Sequence, residues 1–229
     1  SETFYDDRGR SYLSKTYAVD PSSGAVGSYL AGYTWYDASG NVIKQQAAGG
    51  RSFTKTQYDG LGRAIKHFIG YDLDEVPGCT LDSSSSSSSS SGGQAESYAA
   101  ATHVDGDTIL EQKETTLDEA GNVILSTSRS RRHDATGTGE LTTMSGSQPQ
   151  ARVSYVASWF DGIGRSLAMA NYGTNGDAAF SRSSTVPARS DSVLVTSTAY
   201  DAAGQAYLTT DPAGREDRWE FDDAGRVTK

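Results

Sequence analysis

The stretch Tyr200-Asp201-Ala202-Ala203-Gly204-Gln205, followed by Asp211-Pro212-Ala213-Gly214-Arg215 and then by Phe221-Asp222-Asp223-Ala224-Gly225-Arg226, decides the fold. It alternates turn and strand. Asp followed three residues later by Gly is the composition of a type I β-turn. The Asp side chain accepts hydrogen bonds from backbone N–H groups just ahead of it. The Gly takes the left-handed conformation that other residues enter at a cost. A type I turn followed by a left-handed residue is the usual three-residue hairpin loop, with a bulge at the glycine. The flanking residues should therefore be paired strands.

Working outward, the aromatic-Asp-x-x-Gly phrase recurs along the whole chain. It stands at Tyr5-Asp6-Asp7-Arg8-Gly9-Arg10, Tyr36-Asp37-Ala38-Ser39-Gly40-Asn41 and Tyr58-Asp59-Gly60-Leu61-Gly62-Arg63. It returns at Leu117-Asp118-Glu119-Ala120-Gly121-Asn122 and Phe160-Asp161-Gly162-Ile163-Gly164-Arg165. The Asp211 turn keeps the pattern with Thr210 in the aromatic position. Successive starts are 31, 22, 59, 43, 40 and 21 residues apart. The shortest gaps define the unit, and 43 and 40 are close to twice that. Such a unit holds two short strands and two turns; where the gap is longer, one turn has become an excursion. A repeated unit is one supersecondary element that stacks on its neighbours.

The runs around the turns agree. Residues 51–58, 151–160, 193–200 and 217–221 precede turns, and residues 41–44, 122–127 and 205–210 follow them; all are rich in β-branched and aromatic residues. No window carries a capped helical period. The expected fold is all-β: repeated β-hairpins stacked in a continuous, twisted, mostly antiparallel sheet.

The phrase Tyr-Asp-x-x-Gly-Arg, alternating with Asp-Pro-x-Gly-Arg at this period, resembles the Rhs or YD-repeat family. That family includes bacterial Rhs polymorphic toxins, the shell-forming subunits of insecticidal Tc toxins, wall-associated proteins and animal teneurins. The resemblance covers nearly the whole chain apart from the excursions. It implies a β-strip that spirals into a hollow shell, often around a toxic C-terminal domain, in an extracellular or cell-surface setting. It also implies partners: neighbouring YD repeats of the same or another chain, and a C-terminal cargo domain. The family's self-cleaving core segment has no match here, so self-processing is not implied.

Residues 1–229 read as one repeat segment with inserted loops at about 71–107, 129–150 and 171–191. The chain opens at Ser1 inside a strand and stops at Lys229, three residues beyond the last turn motif, so it reads as a piece of a larger protein. Its hydrophobic content of 35% fits a sheet with one solvated face. A net charge of −9 argues against nucleic acid and anionic membrane as partners, since both select basic surfaces. No apolar run reaches the length of a membrane-inserting helix. The first loop carries nine serines, Ser83 to Ser91, which cannot bury apolar surface and read as mobile. All three loops read as solvated surface excursions.

Candidate chemistry is sparse. His67, His103 and His133 fall in unrelated segments, and Cys79 is the lone cysteine, so no internal disulfide forms. Cys79, His103 and His133 are expected too far apart to share hydrogen bonds. Asp105-Gly106-Asp107 lacks the remaining ligands of a calcium loop. No cofactor, metal site or catalytic cluster is expected. The motif aspartates read as turn formers and the motif rings as packing between repeats. Arg10, Arg63, Arg165, Arg215 and Arg226 read as bridges to acidic groups of the adjacent strand or repeat. The second reading is a binding module, in which the aromatic ladder or the loops hold a glycan or a cell-surface protein.

Overall fold

The computed structural model describes residues 1–72, 98–143 and 146–229. Cys79 and the serine run lie outside the described residues. Thirteen strands form a sheet whose order follows the chain, with β1 and β13 as end strands. Helix, among the described residues, amounts to α1 (Tyr98–Ala101) and a 3-10 turn at Asn175–Asp177. The sequence reads as one segment; backbone contacts group it into two compact units, Ser1–Gln112 with Ser130–Ala151, and Lys113–Arg129 with Arg152–Lys229.

The first unit contains β1 (Glu2–Tyr5), β2 (Ser11–Val19), β3 (Val26–Tyr36), β4 (Val42–Gln46), β5 (Ser52–Tyr58), β6 (Ala64–Tyr71) and the start of β7 (Thr108–Leu117). The second holds the rest of β7, most of β8 (Val123–Arg131) and β9 (Ala151–Phe160), then β10 (Ser166–Gly173), β11 (Leu194–Tyr200), β12 (Ala206–Thr210) and β13 (Glu216–Arg218). The ladders β1 to β6 and β9 to β13 are antiparallel throughout.

Because strands alternate in direction, connections alternate between the two ends of each unit's strands. The turns at 6–10, 37–41 and 59–63 share one end in the first unit, and those at 118–122, 161–165, 201–205 and 222–226 share one end in the second. The other end carries the connections that vary, 20–24, 47–51 and 174–193 among them, together with one turn of the regular kind at 211–215. The repeat of about 21 residues is thus one fixed turn and one free one.

The fixed turns have the expected geometry. Gly9, Gly40, Gly62, Gly121, Gly164, Gly204 and Gly225 all have φ between 75° and 99°. The structure adds a second irregularity. Opposite each motif aromatic the following strand carries one extra residue: Tyr5 pairs with Ser11 but Phe4 with Leu13, and Tyr36 with Val42 but Trp35 with Lys44. The same slip follows Tyr58, Phe160 and Tyr200. A bulge of this kind leaves backbone groups outside the ladder.

The reading of the three excursions as solvated loops is corrected by the packing of their described residues. A single hairpin sheet has nothing to bury its apolar face against, so the excursions supply the second layer. In the first unit Phe53, Phe68 and Ile109 of the sheet pack with Val104 and Leu141, which come from two excursions. Gly70 is required there, because a Cβ would stand 2.7 Å from the Thr108 carbonyl oxygen. In the second unit Ala157, Trp159, Ala168, Ala170 and Val195 are capped by Phe180 and Val193 from residues 174–193. Burying each large apolar side chain stabilises by about 1.5–3 kcal/mol. The loop margins also shift: β8 continues through Arg131, β10 through Gly173, and β11 begins at Leu194.

Candidate functional site

The repeated turn is the chemical unit of this chain. In the first, the Asp6 amide donates to the Arg10 carbonyl at 2.9 Å and the Gly9 amide to the Asp6 carbonyl at 2.9 Å. One carboxylate oxygen, Asp6 Oδ1, accepts from the Arg8 and Arg10 amides, both at 2.9 Å. The other, Oδ2, accepts from Arg10 Nε at 2.8 Å. The same closure joins Arg63 to Asp59, Arg165 to Asp161, Arg215 to Asp211 and Arg226 to Asp222. Asn41 and Asn122 make it with their amides to Asp37 and Asp118.

This corrects the expected arginine bridges. Each motif arginine pairs with the Asp of its own turn. A hairpin loop brings its first and last residues face to face, so the near carboxylate wins over any distant one. The carboxylates titrate below their ordinary range. For Asp6 the main cause is the Arg10 side-chain hydrogen bond, and for Asp59 it is the Arg63 backbone amide. Asp161, Asp211 and Asp222 are lowered chiefly by the backbone amides of Arg165, Arg215 and Arg226.

Closed on themselves, the turns still meet. Within each unit the last residue of one motif lies against the glycine of the next. A Cβ on Gly40 would stand 3.7 Å from Arg10 Nη1, one on Gly62 3.7 Å from Asn41 Nδ2, and one on Gly164 3.6 Å from Asn122 Oδ1. At Gly204 the neighbour is Arg165 at 3.1 Å, and at Gly225 it is Gln205 at 2.8 Å. Arg10 also covers the Tyr36 ring at 4.5 Å, and Arg165 the Tyr200 ring at 4.4 Å, both within cation–π range. The tyrosine hydroxyls complete the seam. Tyr36 donates to the Ser11 carbonyl at 2.9 Å, Tyr58 to Val42 at 2.9 Å and Tyr200 to Ser166 at 3.0 Å. Each acceptor is the bulge residue opposite the preceding aromatic. Among the described residues no motif ring stacks on another motif ring; the repeating contact runs from Arg, Asn or Gln onto the next glycine, with an arginine on the ring at two tyrosines.

Sequence reasoning missed two features of the first unit. Lys44 and Lys55 lie directly opposite each other on β4 and β5, and both are buried. The Phe53 ring lies 4.4 Å from Lys44 Nζ and 4.9 Å from Lys55 Nζ. Lys55 donates to Asp107 Oδ2 at 2.7 Å, to the His103 carbonyl at 2.9 Å and to the Ala100 carbonyl at 3.0 Å. All three ammonium hydrogens are thereby satisfied. Asp107, weighed as a calcium ligand, serves this ion pair. The other missed feature is the turn Asp20-Pro21-Ser22-Ser23-Gly24, a one-residue expansion of the Asp-Pro-Ala-Gly pattern that closes β2 onto β3.

His67 is exposed on β6. His103 stands 3.7 Å from Asp105, and His133 stands 4.0 Å from Asp134. No cluster of metal-ligating side chains occurs among the described residues. The described residues line open clefts, of which two are formed as follows. One, of about 460 Å³, is lined by the neutral groups Ser14, Thr34, Gln45, Ser52 and Thr54 with Tyr33. The other, of about 650 Å³, includes Asn171, Tyr172, Asn175, Asp191 and Ser192. The hydroxyls and amides of the first cleft can hydrogen-bond a neutral polar ligand.

No protein-family model matches the sequence, and no curated protein matches it. Solved structures similar to the chain include a TcdB2–TccC3 complex and the Tc holotoxin pore of Photorhabdus luminescens. Each is 15% identical over 98% of this chain, with a TM-score of 0.30. The chain spans 12% of the length of those chains. A TM-score of 0.30 is too low to assign a family. Among the described residues no helix is long and apolar enough to cross a membrane.

Proposed function

We propose that this chain is a non-catalytic structural segment of a large secreted or cell-surface YD-repeat protein. It contributes hairpins to a β-shell that encapsulates or presents a C-terminal domain. The observation that carries this reading is the seam. Motif aspartates, arginines and tyrosines, residue types from which catalytic sites are made, are engaged in closing turns and, within each unit, in joining one turn to the next. The test is limited proteolysis of the parent protein with and without residues 1–229. Loss of the segment should expose the downstream domain to protease within minutes; equal protection in both forms overturns the reading.

A second reading, glycan binding, draws support from the cleft with hydroxyl and amide lining in the first unit. The motif aromatics favour it less, since Tyr36 and Tyr200 each have an arginine on one face and a committed hydroxyl. A glycan array probed with wild type and Gln45→Ala separates the two readings: binding that the variant loses supports a glycan site, and no binding removes it.

A further inference from the structure

The excursion that covers the second unit opens with an Asn-Gly pair. Of the four asparagines in the sequence, Asn41 and Asn122 precede valine, Asn171 precedes Tyr172, and Asn175 alone precedes a glycine. Glycine has no Cβ to shield its amide nitrogen, and its backbone rotates freely. The structure adds to that local chemistry. Asn175 and Gly176 form the apex of a left-handed turn, with φ of 50° and 62°. The turn's two bonds run from the Asp177 amide to the Thr174 carbonyl and from the Ala178 amide to the Asn175 carbonyl, so neither uses the Gly176 amide. A Cβ on Gly176 would meet nothing within 4 Å, and both residues line the open cleft of about 650 Å³. The peptide therefore has room to turn, and water reaches it. The carboxamide is lightly held. Asn175 Nδ2 donates to the Ala178 and Ala179 carbonyls, both at 3.3 Å, just past the usual range of such bonds. Asn41 and Asn122, by contrast, donate to Asp37 and Asp118 at 2.8 and 2.9 Å.

We propose that Asn175 is a site of self-modification, at which the Gly176 amide nitrogen attacks the Asn175 side chain and converts it to aspartate and isoaspartate. The Gly176 amide gives its proton to water, and its nitrogen bonds to Asn175 Cγ. The Cγ–Nδ2 bond breaks, and ammonia leaves with a proton taken from water. A further water opens the cyclic imide at either carbonyl. Both products place a carboxylate where a donor stood beside the Ala178 and Ala179 carbonyls, and isoaspartate also adds a methylene to the main chain. Asn175 and Asp177 are the non-glycine residues of positive φ among the described residues, so the turn holds an unfavourable backbone that opens once those bonds are lost. Ala178 and Ala179 lead directly into Phe180, the ring that stacks on Tyr155 and meets Tyr172. The modification is thus a one-way loosening of the second unit's cover. It goes beyond the shell reading and does not depend on it.

Incubation of the folded chain in mildly alkaline buffer, followed by peptide mass mapping with fragmentation, tests this against the urea-unfolded chain as reference. Asn175 should gain the mass of an NH2-to-OH exchange while Asn41, Asn122 and Asn171 stay intact. Trypsin cleavage after Arg182, whose guanidinium the cover holds on the Ser158 carbonyl, reports on the loosening. It should run about two- to tenfold faster in the aged protein and in fresh Asn175→Asp, the worth of one hydrogen bond. Asn175→Ser cannot form the imide, so its cleavage rate should not change with age; far-UV circular dichroism verifies that both variants fold. Asn175 intact in the folded chain once the unfolded chain is converted, or equal cleavage after Arg182 before and after conversion, overturns the proposal.

Discussion

In the first unit, residues 98–107 return to the sheet on Lys55, whose ammonium meets the Asp107 carboxylate and two backbone carbonyls in a site almost closed to solvent. In the second, residues 174–193 settle on the sheet through rings. Phe180 stacks on Tyr155 at 4.7 Å and meets Tyr172 edge-on at 4.5 Å, while Arg182 lies over Trp159 at 4.8 Å. The Trp159 indole then donates to the Ser183 carbonyl. The two covers do the same job, excluding water from one face of a hairpin sheet, with different chemistry. The fixed turns prescribe nothing about that face, so each excursion supplies its own means of attachment. A buried ion pair holds position strictly and fails badly when one partner is lost. A ring stack loses affinity in proportion to the area removed.

The sharpest way to break this contrast is Asp107→Ala. It leaves Lys55 charged and buried, and should cost about 3–5 kcal/mol in urea denaturation. Arg182→Met, which removes the cation over Trp159, should cost less than about 1 kcal/mol. Similar losses from the two would end the distinction. Next, Phe180→Ala should cost about 2–3 kcal/mol, below the range for a fully buried phenylalanine because this ring keeps some exposure. Phe68→Ala, fully buried in the first unit, should cost about 3–5 kcal/mol.

Smaller effects sharpen what the units share. Gly9→Val should cost about 1–2 kcal/mol from its left-handed backbone alone. Gly204→Val should cost more, because its side chain also meets Arg165; thermal unfolding of the pair measures the seam. The smallest effect per residue is that of acid, and it should be alike in both units. Asp20 is held down to about 2, first by the Ser22 hydroxyl, and Asp6 and Asp59 are lowered by Arg10 and Arg63. Their folded values lie below the unfolded value of about 3.9. Their contribution is therefore full above about pH 4 and declines as pH falls, for Asp20 through about pH 2. Stability measured from pH 6 to 2 should fall below pH 4; a flat profile contradicts the turn chemistry.

The turns were legible because their determinants are local. Asp59, Gly62 and Arg63 sit within five residues, and hairpin geometry settles the rest. The partner of each arginine was legible in principle, since residues four apart across a tight loop must face each other; the general preference of an arginine fork for a carboxylate points equally to the adjacent strand or repeat. The pairing of strands followed from the regular return of the turns. The covers were not legible. Lys55 looks like any polar residue of an alternating strand, and its partner lies 52 residues away with no local mark. Serine, threonine and glycine dominate the excursions, and the few apolar side chains that pack, Val104, Leu141 and Phe180, are isolated within polar text. Composition averages hide a contact made by one residue.

A sheet in which each strand neighbours the one just before it in sequence has a kinetic character of its own. Most of its pairings close short loops, which form quickly and at small entropic cost. The strip can therefore be laid down in the order the chain is delivered, one hairpin after another, from whichever side emerges first. The long-range locks come afterwards: Lys55 to Asp107 spans 52 residues and Lys66 to Glu140 spans 74. Until they engage, the strip is a ribbon with one bare apolar face, and closing contacts over such separations costs more loop entropy than closing a hairpin does.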